Sequence, residues 1–73
     1  MATDHIMQFF AYNHLPATLQ IVSKPFGDLA GWIERTIPRN PERTVALRKL
    51  LEAKDASVRA VIAEQIAVAV NDR

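Results

Sequence analysis

From Pro41 to Val70 the chain runs without a glycine or a second proline, and alanine, leucine, arginine, lysine and glutamate dominate it. These are the strongest helix formers, so one long helix is the first requirement on any fold. Asn40 is a favoured N-cap, Pro41 suits the first helical position, and Glu42 sets a negative charge beside the unpaired amides of the first turn. At about 100° per residue, Leu47, Leu50, Leu51, Val58, Val61, Ile62 and Val68 share one broad stripe, with Lys54 and Gln65 near its middle. Ala53, Ala56, Ala60, Ala63 and Ala67 form a small-residue ridge on the opposite side, and Arg48, Glu52, Asp55 and Arg59 fill a flank. A single partner helix cannot cover two opposed surfaces.

The chain has 73 residues, and 49% of them are hydrophobic. That length makes one domain whose own core is marginal, so the apolar surplus points to burial between copies of the chain. No cysteine is present, which excludes disulfides and thiolate metal sites. His5 and His14 lack the further ligands of a zinc site. A formal charge of +1 with interspersed signs gives little of the field that nonspecific binders of DNA or RNA use. No apolar run approaches a membrane span and no signal pattern opens the chain, so the expected compartment is cytoplasm, with no membrane partner.

Residues 1–8 read as a flexible lead, 9–70 as one helical-hairpin domain and 71–73 as a fraying tail. Phe9, Phe10 and Tyr12 ahead of Pro16 suggest an extended strap, because the residue before a proline is pushed out of the helical region. Its rings either cover the end of a helical pair or, through Tyr12 and His14, meet a flat ligand. Leu19, Val22, Phe26, Leu29, Ala30, Ile33 and Ile37 then step by three and four residues. The register carries through Pro25, which favours one kinked amphipathic helix over 17–37; a fresh start capped by Ser23 is the other choice. Trp32 lies off that stripe, as an intersubunit contact or an exposed ring. Pro38 and Pro41 around Asn40 make a stiff turn, and helices joined so tightly pack antiparallel. The expected fold is therefore all-α, an antiparallel two-helix hairpin with an N-terminal extended or short helical strap, assembled as a homo-oligomer.

There is no glycine-rich phosphate loop, no local Ser/His/Asp arrangement and no carboxylate pair on an apolar face, which argues against an enzyme and implies no cofactor. What remains are cations beside apolar surface: Lys24, Arg43, Arg48, Lys54 and Arg59. Lys54, amid the apolar stripe, must snorkel, pair with a carboxylate such as Asp28 or Glu34, meet a ligand anion, or set the register of an oligomer.

Several blocks carry a resemblance: His14-Leu15-Pro16, Val22-Ser23-Lys24-Pro25-Phe26, Asp28-Leu29-Ala30, and Glu42-Arg43-Thr44 followed by Ala46-Leu47-Arg48-Lys49-Leu50-Leu51-Glu52-Ala53-Lys54-Asp55. Over roughly residues 9–62 the chain resembles small phage proteins carrying the helical-hairpin domain of anti-CBASS and anti-Thoeris sponges. It departs from the better-known members over residues 57–60 and at Pro25. The resemblance implies a homohexamer that works in the host bacterial cytoplasm and sequesters cyclic oligonucleotide signals without degrading them. Cyclic dinucleotides such as cyclic GMP-AMP would bind between protomers, and in some members cyclic trinucleotides would occupy a separate pocket. By the resemblance, Tyr12 would stack on a base and Lys24 would meet phosphate. Arg59, in preference to Arg48 and with Lys54 as a competitor, would line the trinucleotide pocket. A helical adaptor for a protein partner, and more remotely a small nucleic-acid-binding regulator, are the alternatives.

Overall fold

The computed structural model describes residues 4–71. A 3-10 helix, His5–Phe10, leads through a turn to α1 (Ala17–Thr36), and a short linker leads to α2 (Pro41–Asn71). The two long helices pack as a hairpin, with the 3-10 helix laid against both. Among the described residues every regular element is helical.

Asn40 caps α2 as its side chain requires: Oδ1 accepts the Arg43 amide at 2.9 Å. Ile37 closes α1 by donating its amide to the Ile33 carbonyl at 2.9 Å, then turns to extended dihedrals (φ −88°, ψ 132°), as a residue before proline must. α1 runs unbroken through Pro25, which overturns a fresh start at Ser23. The proline removes the amide that would serve the Ile21 carbonyl. Ile21 is 75% exposed, so water can serve that carbonyl instead. Ser23 is buried within the helix, and its hydroxyl has no hydrogen-bond partner.

Phe10, Ala30 and Leu47 form the fully buried centre, with Ile6, Met7, Phe26, Ile33, Leu50 and Leu51 packed around it. The α1 stripe therefore faces α2 as its spacing predicts, except that the helix is rotated to bury Ala30 and leave Leu29 46% exposed. Small Ala30 at the centre lets the two backbones approach.

The N-terminal segment differs from the expectation. Residues 5–8, expected in a flexible lead, belong to the 3-10 helix, and so do the first two residues of the strap, which there takes the short helical of its two expected forms. Residues 1–3 of that lead lie outside the described residues, as do residues 72 and 73 of the expected tail, whose first residue, Asn71, is still helical. The 3-10 helix is stapled at its start: the Asp4 amide donates to Glu34 Oε2 at 3.0 Å, and the Asp4 carboxylate accepts from Arg43 at 2.5 Å and Arg39 at 2.9 Å. Arg43 also donates to the Ile37 carbonyl at 3.2 Å, tying the segment to the interhelical linker.

α2 has 31 residues against 20 in α1, so at 1.5 Å per residue it projects roughly 16 Å beyond its partner. The molecule is accordingly a rod of 51 × 21 × 16 Å. On the overhang Ile66 is 60%, Val68 49% and Val70 56% exposed. With Phe9, Trp32 and Val45 also open, the monomer leaves much of its apolar surface uncovered.

Candidate ligand-binding surface

The turn between the 3-10 helix and α1 positions Tyr12. Its carbonyl accepts the Leu15 amide at 3.0 Å, and Gln20 Nε2 donates to the Leu15 carbonyl at 2.7 Å, fixing the turn to the first coil of α1. The half-buried Tyr12 ring lies on Gly27. A Cβ at that position would sit 3.2 Å from Tyr12 Cε1 and 3.1 Å from the Phe10 carbonyl oxygen, so the close approach depends on glycine. Gly27 is an ordinary helical residue in its dihedrals, and space, not conformation, is what it supplies.

Lys24 lies about one turn before Gly27 and donates to Asp28 Oδ2 at 2.7 Å. The hydrogen bond to Asp28 and its charge hold the Lys24 ammonium above the usual lysine range, and the nearby Tyr12 phenol adds to this. A half-buried phenol-bearing ring and an exposed cation are thus carried by α1 and its approach turn. That arrangement can stack a planar base and meet an anion beside it. Asp28 competes with any incoming anion. The Lys24–Asp28 pair is 59% and 57% exposed, and solvent screens such a pair strongly, so the carboxylate can swing aside at little cost.

The other expected residues are placed differently. His14 is exposed in the turn, and among the described residues no hydrogen bond, ion pair or ring contact holds it. Arg59 is likewise exposed and unpaired among the described residues, farther along α2. Lys54 pairs with neither Asp28 nor Glu34. Its side chain is only 12% exposed and donates to the Phe9 carbonyl at 2.8 Å, with Asp55 Oδ1 at 3.0 Å. An ammonium beside the last carbonyls of the 3-10 helix complements their partial negative charge, so Lys54 anchors the segment that carries Tyr12. Asp28 is taken by Lys24, and Glu34 by the Asp4 amide.

Sequence reasoning missed a second cluster. Asp4, His5, Arg39, Thr44 and Arg48 meet around a groove of about 470 Å³ between the 3-10 helix and the first turns of α2. Sequence reasoning placed Arg39 only in the linker and read Arg48 as solvated charge or a less favoured ligand contact, and nothing local marks Asp4 as the partner of Arg39 and Arg43. No group of histidines and carboxylates able to hold a metal ion occurs among the described residues, and none of the helices is long and apolar enough to cross a membrane. Comparison with known protein families, characterised proteins and solved structures finds no match to the chain.

Proposed function

We propose that this chain is a phage-encoded immune-evasion protein that assembles with copies of itself and sequesters cyclic oligonucleotide second messengers at the seams, without degrading them. The observation that carries the reading is that the Tyr12 ring packs on Gly27 of α1, three residues along the helix from the exposed Lys24. A cyclic dinucleotide offers the complementary pair, a flat base and a phosphate diester.

Assembly is supported by the same surface analysis. A 73-residue hairpin that leaves Ile21, Trp32, Ile66 and Val70 about half or more exposed gains stability by covering them with other protomers. The resemblance supports a hexamer with pockets between protomers. Tyr12 would then stack on a base, worth about 1–3 kcal/mol, and Lys24 would donate to phosphate. His14, open beside Tyr12, is a further contact. Arg59 suits a second pocket for a cyclic trinucleotide better than Lys54, whose ammonium is engaged with the Phe9 carbonyl. Holding ligand without chemistry needs no catalytic group, and the host bacterial cytoplasm is where such signals circulate.

The test is calorimetry with a panel of cyclic di- and trinucleotides, followed by chromatography of the ligand released on denaturation. Binding with intact ligand recovered, weakened by Tyr12→Ala and by Lys24→Ala, is the expected result; cleaved ligand or no heat at micromolar concentrations refutes it. The overhang of α2 favours a second reading, a helical adaptor whose apolar end docks a protein partner. Nucleotide binding to the wild type and its loss on Tyr12→Ala separate the two.

A further inference from the structure

We infer that Ser23, Pro25 and Gly27 form a hinge in α1, which lifts the Tyr12-bearing turn from its seat and opens a slot over Gly27 for a planar ligand. The ligand's place in that slot rests on the function proposed above; the hinge itself does not. Serine, proline and glycine fall within five residues of one helix, and they are the residues at which helices bend. Pro25 supplies no amide to the Ile21 carbonyl, and its ring crowds that carbonyl. Ile21 is exposed, so water reaches this side of the helix when it opens. Gly27, two residues on, has the backbone freedom to absorb a change in direction.

Ser23 gives the hinge a second resting position. Its side chain is 1% exposed, and its hydroxyl has no hydrogen-bond partner among the described residues. An unpaired buried hydroxyl disfavours the form that leaves it so. One turn back is the Leu19 carbonyl, the acceptor that a serine inside a helix bonds as the helix bends. At about 100° per residue, positions 23 and 25 lie on nearly opposite sides of α1. Widening on the proline side and tightening on the serine side are therefore one motion, in which the Ser23 hydroxyl comes to donate to Leu19.

The contacts on either side of the hinge say what moves. Beyond it, Ala30 is fully buried against Phe10 and Leu47, and Ile33 packs beside them, so this part of α1 is fixed. Ahead of it, the Leu19 and Gln20 amides donate to the Pro16 carbonyl at 2.9 and 3.0 Å, and Gln20 Nε2 donates to the Leu15 carbonyl at 2.7 Å. The first turns of α1 and the end of the approach turn thus travel as one piece. The 3-10 helix stays, held by Phe10 in the core and by Lys54 on the Phe9 carbonyl. Tyr12 lies in the turn between the moving piece and the fixed 3-10 helix. Its ring, so near Gly27 that a Cβ there would meet Cε1 at 3.2 Å, is the contact that the motion breaks.

The experiment is NMR relaxation dispersion on the protein without nucleotide, for the wild type, Ser23→Ala and Pro25→Ala. Both variants place the strongest helix former inside a helix, so both keep the fold. The wild type should show exchange on the microsecond to millisecond scale at the amides flanking Pro25 and at the Tyr12 ring, and none at Leu47. Ser23→Ala removes the hydroxyl that only the bent form satisfies and should lower the bent population about tenfold, the effect of one hydrogen bond. Pro25→Ala restores an amide to the Ile21 carbonyl and should lower it by a similar factor. A hydroxyl that merely fills space would leave the exchange unchanged on its removal. The inference is overturned if the wild type shows no such exchange, or if either variant exchanges as the wild type does. A wild type that exchanges in this way but binds no cyclic nucleotide upholds the hinge and rejects only the sponge.

Discussion

Replacing Arg43 by methionine tests the device that seats the N-terminal segment. The guanidinium is 7% exposed and serves two acceptors, Asp4 Oδ2 at 2.5 Å and the Ile37 carbonyl at 3.2 Å. Removing one member of a buried pair costs about 3–5 kcal/mol, and a single charged hydrogen bond about 1.5–3 kcal/mol. Two features bring the expected loss toward the lower figure. Asp4 is 19% exposed and keeps Arg39 at 2.9 Å, and the methionine preserves the packing of the arginine stem. The expected destabilisation is therefore about 2–3 kcal/mol, or roughly 10–20 °C in Tm for a domain of this size. Urea unfolding followed by circular dichroism, at one fixed protein concentration so that any self-association contributes equally, gives the number. In an Asp4→Ala background the same replacement should cost about 1–2 kcal/mol less, since its partner is already gone. A loss below about 0.5 kcal/mol, or an equal loss in both backgrounds, would show that the clasp does not hold the segment.

Further expectations concern the surface around Tyr12. Gly27→Ala improves helix propensity by about 1 kcal/mol but crowds the Tyr12 ring and the Phe10 carbonyl. Tm should change by only a few degrees while cyclic dinucleotide affinity falls, by calorimetry. Lys54→Met should cost about 1–2 kcal/mol and raise amide exchange over the 3-10 helix, because the donor to the Phe9 carbonyl is lost. Asp28→Asn should tighten cyclic dinucleotide binding by a few fold, since the anion no longer competes for Lys24. The same variant should lower the Lys24 pKa toward the ordinary lysine range when its side chain is titrated by NMR, with the smaller contribution of Tyr12 remaining. A raised folded-state value means that the Lys24–Asp28 interaction favours the fold below the ordinary lysine pKa and is lost only as pH climbs through the raised value. Stability between pH 6 and 9 should not depend on it, on the same linkage grounds, and a slope there that disappears in Asp28→Asn would contradict this reading.

The hairpin was legible because its signals are local. Asn40, Pro41 and Glu42 carry the start of α2 in three adjacent residues, and the step of three and four from Leu19 to Ile37 survives Pro25. The N-terminal segment was not legible for the opposite reason. A six-residue 3-10 helix has too few turns to show a period, and its hold on the fold comes from Asp4, some 39 positions away from Arg43. Lys54 was rightly singled out as a cation that needs a partner, but the acceptor is a backbone carbonyl, which every residue possesses and no sequence pattern marks. Tyr12 and Lys24 took their expected roles from the resemblance; what the structure adds is that the Tyr12 ring packs on Gly27, three residues along α1 from Lys24. The groove beside Arg48 depends on the position of the 3-10 helix, so it could not be read before that element was found.

The proposal that copies of the hairpin cover one another's remaining apolar surface is tested most directly by the mass of the native particle. Native mass spectrometry, with light scattering at low micromolar concentration, should give a discrete multiple of the 8.2 kDa chain, six copies by the proposed reading, that falls apart when Ile66 and Val70 are changed to glutamate. A helical, cooperatively melting particle of 8.2 kDa at that concentration would contradict it.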